Sequence, residues 1–359
     1  MSKIYKLPLH QIIMTLLCVF LVTLGVSGPA AAQADRTFVI GEISNIPSTL
    51  PDPNATPTAP AATPTPVVVG PSFTTNGQVG SRQISFRASF AELGYVEGKN
   101  VTYVFDPAST TPDKLDAAAQ SLVAAHVDLI VAYGTAASVA AKKAADGTNI
   151  PVVFVGPVDP VQMGLVKSLQ NTEGNVTGVG GVSESYTKQL EWLIQFDPNI
   201  HSIYVPYPNL TNPAISAPVK AIQDFANKTG IKVITAELPT PEDITAALAN
   251  LPDVDAIMLV PFAPNASDFM QLGIARKMPV SYAFPNAMDL GPLLSYNYTE
   301  DGIGASAARF ADRILRGAKP ADLPVEIAPS LLAINLKTAD AIGLTISDDI
   351  LQQASIIVR

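Results

Sequence analysis

At 359 residues, 48% of them hydrophobic, the chain can bury a large core, and at about 150 residues per domain its length predicts two domains. Its net charge of −9, with no basic run to track phosphates, excludes nucleic acid as a partner.

Residues 1–34 read as an export leader. Lys3, Lys6 and His10 precede an apolar stretch from Ile12 to Val26, and Ala32-Gln33-Ala34 fits a small-x-small cleavage pattern that predicts Asp35 as the mature N-terminus. An uncleaved anchor is the alternative, although the apolar stretch is short for a full span. The one cysteine, Cys18, lies inside this leader, so a cleaved chain has no disulfide, thiolate metal site or cysteine nucleophile.

A first strand is predicted over 36–44, followed by a stretch rich in Pro, Thr and Ala from Pro47 to Pro71. Proline lacks an amide donor and fixes its own φ, so this part reads as a solvated, extended loop insertion, bounded at 45–76. A helix is predicted over 80–93 with Gly94 as its stop, a strand over 100–105 and an amphipathic helix over 112–125.

The central stretch, Asp128 to Gly164, predicts a strand at 129–132, a break at Tyr133-Gly134, Thr135 as helix N-cap and a small-residue helix over 136–145. A second buried strand at 152–155 ends in Gly156-Pro157-Val158-Asp159-Pro160, ahead of a short helical pattern. Two neighbouring strands then end in loops at one sheet edge, where unpaired helix-start amides hold ligands in open parallel sheets. Taken singly, a helix cap at Thr135 and a turn at Asp159 account for those residues equally well.

A fifth strand is predicted over 175–181; the glycines of Gly178-Val179-Gly180-Gly181 do not fit the dinucleotide spacing GxGxxG. A second series alternates helices at 185–196, 214–228, 241–249 and 267–276 with strands at 202–205, 232–236, 256–260 and 280–283. Strands alternating with helices in this way imply an α/β protein of two Rossmann-like lobes, each a doubly covered parallel sheet. The tail departs from that series, with a strand at 293–298, a helix at 301–315 and short strands at 325–327 and 331–335. These extra returns predict that the chain crosses between lobes more than once, which makes a hinge.

His126 and His201 are the only histidines beyond the leader, and no HExxH or Walker glycine loop is present. A Ser-His-Asp system, a metal and a nucleotide have no carrier, so neither enzyme nor cofactor is expected.

Several segments together resemble the exported substrate-binding proteins of ABC importers of the tryptophan/tyrosine type, which have the type I periplasmic binding protein fold. They are GYVEGKNV (94–101), DLIVAYGTAASVAAKK (128–143), VDPVQMGLV (158–166), GNVTGV (174–179), GPLLSYN (291–297), ILRGAKPADLPVE (314–326) and INLKTADAIGLTI (334–346). The resemblance implies a three-crossover hinge near 181–182, 285–298 and 327–330. The N-terminal lobe would be 35–181 plus 298–327, and the C-terminal lobe 182–297 plus 328–359.

It also implies a small-molecule ligand between the lobes, delivered by a monomer to an ABC permease in the membrane; the family suggests an aromatic or branched amino acid, while peptides, nucleosides or other small organic solutes also fit a cleft with few charges. The implied ligand contacts are Gly134, Thr135 and Ala136 at one helix start, Val158 and Asp159 at the next, and Ser183 with Ser185 past the first crossover. Asn209, Asn212, Phe262, Asp289 and Tyr296 join them from the second lobe. Helix-start amides and the hydroxyls of Thr135 and Ser183 would take a carboxylate, and Asp159 or Asp289 an ammonium. Tyr133, Tyr207, Phe262 and Tyr296 are candidates to stack on an aromatic part, although a core or rim position is the expected reading for any one of them. An exported sensing module of the same fold, and an α/β hydrolase or isomerase, are the competing readings.

Overall fold

Alternation of side chains across the central strands sets up the architecture. In β3 (Leu129–Tyr133), Leu129, Val131 and Tyr133 enter one apolar cluster with Phe86 and Phe90, while Ile130 and Ala132 enter another with Leu115, Leu122, Ala137 and Ala141. A strand buried on both faces needs helices on both, and that is what the neighbouring segments supply.

The computed structural model describes residues 36–44, 76–105, 112–182, 184–211 and 213–359, so the leader and the Pro-rich insertion lie outside the described residues. Phe38–Arg359 form one compact unit.

The first sheet holds β1 (Phe38–Ser44), β2 (Val101–Phe105), β3, β4 (Val152–Val158), β5 (Val176–Gly181) and β11 (Glu326–Ile327) in the order β11-β5-β4-β3-β1-β2. All its pairings are parallel. Helices α2 (Pro112–Ala124) and α3 (Thr135–Ala145) pack together beneath one face. Helix α1 (Asn76–Glu92), which begins four residues before its predicted start, packs along α8 (Glu300–Leu315) on the other.

The second sheet holds β6 (Ser202–Tyr207), β7 (Lys232–Glu237), β8 (Ala256–Leu259), β9 (Val280–Tyr282), β10 (Leu294–Asn297), β12 (Leu331–Asn335) and β13 (Ile356–Val358), ordered β13-β12-β10-β9-β8-β6-β7. One pairing is antiparallel, β10 with β12, because β12 returns from the first sheet against the strand that left for it. Helices α4 (Glu184–Phe196) and α5 (Pro213–Thr229) pack side by side, as do α6 (Pro241–Ala249) and α7 (Ala266–Ala275). Beyond β12 come α9 (Leu336–Ile342), α10 (Asp348–Leu351) and β13, the last parallel to β12, none of which the sequence pattern had predicted.

The chain therefore passes between the sheets three times, after β5, after β10 and after β11. The three glycines of β5 serve this packing rather than a turn. A Cβ at Gly178 would lie 2.2 Å from the Phe154 carbonyl oxygen, one at Gly180 2.6 Å from Pro160, and one at Gly181 2.6 Å from the Tyr298 ring.

Candidate functional site between the sheets

The turn out of β3 differs from its predicted form: the N-cap of α3 is Gly134, and Thr135 is the first helical residue. Gly134 has φ 85°, open to glycine at little cost, and its amide donates to Val155 O at 2.9 Å. The side chain of Thr135 is buried, and its Oγ1 accepts the Val158 amide at 3.3 Å. Its hydroxyl proton and the first amides of α3, including that of half-buried Ala136, thus lie together at the end of the sheet.

β4 runs three residues beyond its predicted end, through a register shift between Val155 and Val158, with Gly156 at φ 71°. Asp159 follows with φ 46°, half-buried, its amide donating to Gly181 O at 3.0 Å. The predicted short helix after Pro160 is instead a pair of turns, Met163 N to Asp159 O and Leu165 N to Pro160 O, each 2.9 Å.

From the second sheet, α5 reaches across and touches both α3 and β4, so the ends of the first sheet are faced by a helix of the second. Asn209 prepares that helix: its Oδ1 accepts the Thr211 amide at 3.1 Å and the Thr211 hydroxyl at 2.6 Å in a side-chain turn. Phe262, at φ 61° after β8, is half-buried against the core of the second sheet.

Two adjoining cavities flank the crossovers and share Val182, Glu184 and Ile327. One, of about 380 Å³, lies against Asp159, Val161 and Leu169. The other, of about 550 Å³, runs along the outer side of α4 past Ser185, Lys188, Tyr296 and Ser330. The hydroxyls of Ser185 and Ser330 are 2.8 Å apart, tying the first crossover to the third. Tyr296 is half-buried with its ring 6.5 Å from that of Trp192, and Lys188 Nζ, 2.6 Å from Glu191, lies 5.7 Å over the same indole.

Gly134, Thr135, Ala136 and Val158 thus form one cluster, and Asp159, Ser185 and Tyr296 line the two joined cavities. Asn209 and Phe262 sit in the loops after β6 and β8. Asp289 is exposed in a 3-10 turn, Pro285–Leu290, that leads to Gly291 beside α7 and α9, apart from these groups. Ser183 and Asn212 lie outside the described residues.

Two of the stacking candidates take the core position expected of them. Tyr133 is fully buried and donates to Glu42 Oε1 at 2.9 Å, and burial followed by the Glu42 charge holds its phenol well above the ordinary range. Tyr207 is also buried. Glu184, Lys188 and Glu191 escaped the sequence analysis; the signal for Glu184 was its place between Ser183 and Ser185. Among the described residues no group of three or more His, Cys, Asp or Glu side chains is placed to hold a metal, and no helix is long and apolar enough to cross a membrane.

Two α/β sheets, three passes of the chain between them and facing strand ends define a two-lobed chain with the type I periplasmic binding protein fold. Residues 82–358 match the family model described as ABC transporter substrate binding protein, and the chain belongs to that family.

A tyrosine-binding protein of Clostridioides difficile (strain R20291) is 25% identical over 264 residues, 72% of this chain and 75% of the relative. Among solved structures, a conserved domain protein from Vibrio cholerae matches with TM-score 0.72 and 24% identity, covering 90% of this chain and 100% of that one. An ABC domain from Streptococcus pneumoniae in complex with L-Trp matches with TM-score 0.71 and 23% identity, again over 90% and 100% of the two chains.

Proposed function

We propose that this substrate-binding protein takes an aromatic amino acid, tryptophan or tyrosine, between its lobes, closes on it by hinge motion and passes it unaltered to an ABC permease. The observation that carries the reading is the Thr135 corner: unspent helix-start amides and a hydroxyl gathered at a strand end, faced by α5 of the other sheet. Such a corner suits a carboxylate. The ligands named for the tyrosine-binding relative and the L-Trp complex supply the amino acid class.

The ammonium falls to Asp159, which lines the cavity beside the first crossover, rather than to exposed Asp289. Tyr296 and Phe262, both half-buried, are the aromatic surfaces left for a ring. Residues 1–34 direct export, the mature chain begins at Asp35, and the lobes divide at 181–182, 297–298 and 327–328. Nothing is transformed, and the protein acts as a monomer.

Mass spectrometry of solute released from the purified protein, followed by a thermal-shift panel, tests this. A ligand that binds only the folded form raises the melting temperature, by an amount set by its concentration relative to Kd. L-Trp or L-Tyr should give the largest shifts. A polyol shifting the melting point while no amino acid does would sink the ligand class, and recovery of a chemically altered solute would sink the binding role.

A further inference from the structure

Beside the second crossover, the chain buries a charge pair. Arg82 on α1 and Glu300 at the start of α8 stand 218 positions apart; Nη2 donates to Oε1 at 2.7 Å and Nε to Oε2. Their side chains are 7% and 1% exposed, and among the described residues no other ion pair has both members under a tenth exposed.

Its cover comes from both sides of the molecule. The Arg82 Cζ lies 5.8 Å from the ring of Tyr298, in the crossover itself, and 5.9 Å from that of Phe284, which follows β9 of the second sheet. Asn286, from the same loop, accepts the Glu300 amide on its Oδ1 at 3.1 Å. Gly156 leaves room below: a Cβ there would lie 2.7 Å from Arg82 Nη1. Burial lifts the Glu300 carboxyl above its ordinary range despite the neighbouring guanidinium.

Removing two charges from water can cost more than their mutual attraction regains, and apolar replacement of such pairs is often neutral or favourable. Here part of the cover is the Phe284 ring, which follows the second sheet if the lobes part, as does Asn286, the acceptor of the Glu300 backbone amide. We infer that Arg82 and Glu300 are positioning residues for solute capture: hydration of this pair on opening biases the empty protein towards its open form, leaving the solute to drive closure.

The inference rests on the lobe-closure reading but not on the identity of the solute, because it is read without any. In a Cys18→Ser background, spin labels at Lys143→Cys on α3 and Lys220→Cys on α5 report the distance between lobes; both lysines are exposed. The apolar double variant Arg82→Met/Glu300→Met should raise the short-distance, closed population of the empty protein about tenfold. The neutral hydrogen-bonding pair Arg82→Gln/Glu300→Gln, a check should the first variant fold poorly, should shift it the same way. Arg82→Lys, which keeps both charges, should resemble the parent.

Unchanged or lengthened distances in folded double variants would overturn the inference. A single invariant distance in the parent, empty or with L-Trp, would remove lobe closure itself, whereas a parent that opens and closes without responding to L-Trp would leave the inference standing and remove the proposed ligand.

Discussion

Thr135 and Val158 are joined by a side-chain to backbone hydrogen bond, Oγ1 accepting the Val158 amide at 3.3 Å, which locks the start of α3 to the end of β4. One oxygen therefore shapes the corner and still carries a proton of its own to donate.

Thr135→Val keeps the shape and removes the oxygen, leaving the Val158 amide without its acceptor at a cost of about 1–3 kcal/mol in stability. Affinity for L-Trp should fall roughly tenfold or more, and Thr135→Ser should restore most of both. Urea denaturation and titration calorimetry separate the two effects; unaltered affinity in the valine variant would remove Thr135 from the site.

Glu42, buried in β1, accepts Tyr133 Oη at 2.9 Å, Gln83 Nε2 at 2.8 Å and Arg87 Nη2 at 2.5 Å. The Arg87 guanidinium also lies 3.9 Å from the Tyr103 ring centre. Glu42→Ala strands a largely buried cation and a phenol, which should cost about 3–5 kcal/mol. Glu42→Gln, which keeps an acceptor, should cost less. A chemical denaturation midpoint for Glu42→Ala equal to the parent's would show that water replaces the carboxylate freely.

Gly178→Ala would place a Cβ 2.2 Å from Phe154 O and 2.7 Å from Phe154 N, backbone atoms that cannot yield without breaking the β4–β5 pairing. Destabilisation of about 3 kcal/mol or more is expected. Gly147→Ala is the control: at φ 71°, with no atom within 4 Å of the added carbon, it should cost only about 1–2 kcal/mol of backbone strain. Equal melting temperatures for the two variants would contradict this account.

Asp255 titrates below its ordinary value of 3.8, chiefly through the Ser202 hydroxyl at 2.7 Å, then through the His201 amide at 2.9 Å. A carboxyl with a depressed folded pKa binds its proton more readily in the unfolded chain, so it adds stability above pH 3.8 that is lost as pH falls through the lower folded value. Asp255→Asn should lower the melting temperature at neutral pH and flatten its fall below pH 4. A parent and variant with parallel acid limbs would refute the assignment.

The alternation of strand and helix from Arg36 to Ala283 was legible because it rests on local periodicity: Leu129, Val131 and Tyr133 point one way and Ile130 and Ala132 the other whatever surrounds them. Thr135 was legible as a helix start for the same reason, though its exact position was one residue off, since Gly134 carries the cap without a side chain. Strand β13 was missed because three residues show no period, and only the free edge of β12 makes them a strand.

From the sequence alone came the class of fold, the two series of elements and the corner at Thr135, all consequences of neighbours along the chain. Which charges meet came only from tertiary structure. Nothing around Arg82 announces a partner 218 residues away, and nothing near Glu42 distinguishes a buried acceptor from a ligand contact. Desolvation and pairing depend on what the second layer of packing brings close, and that is set by topology, not by the local pattern.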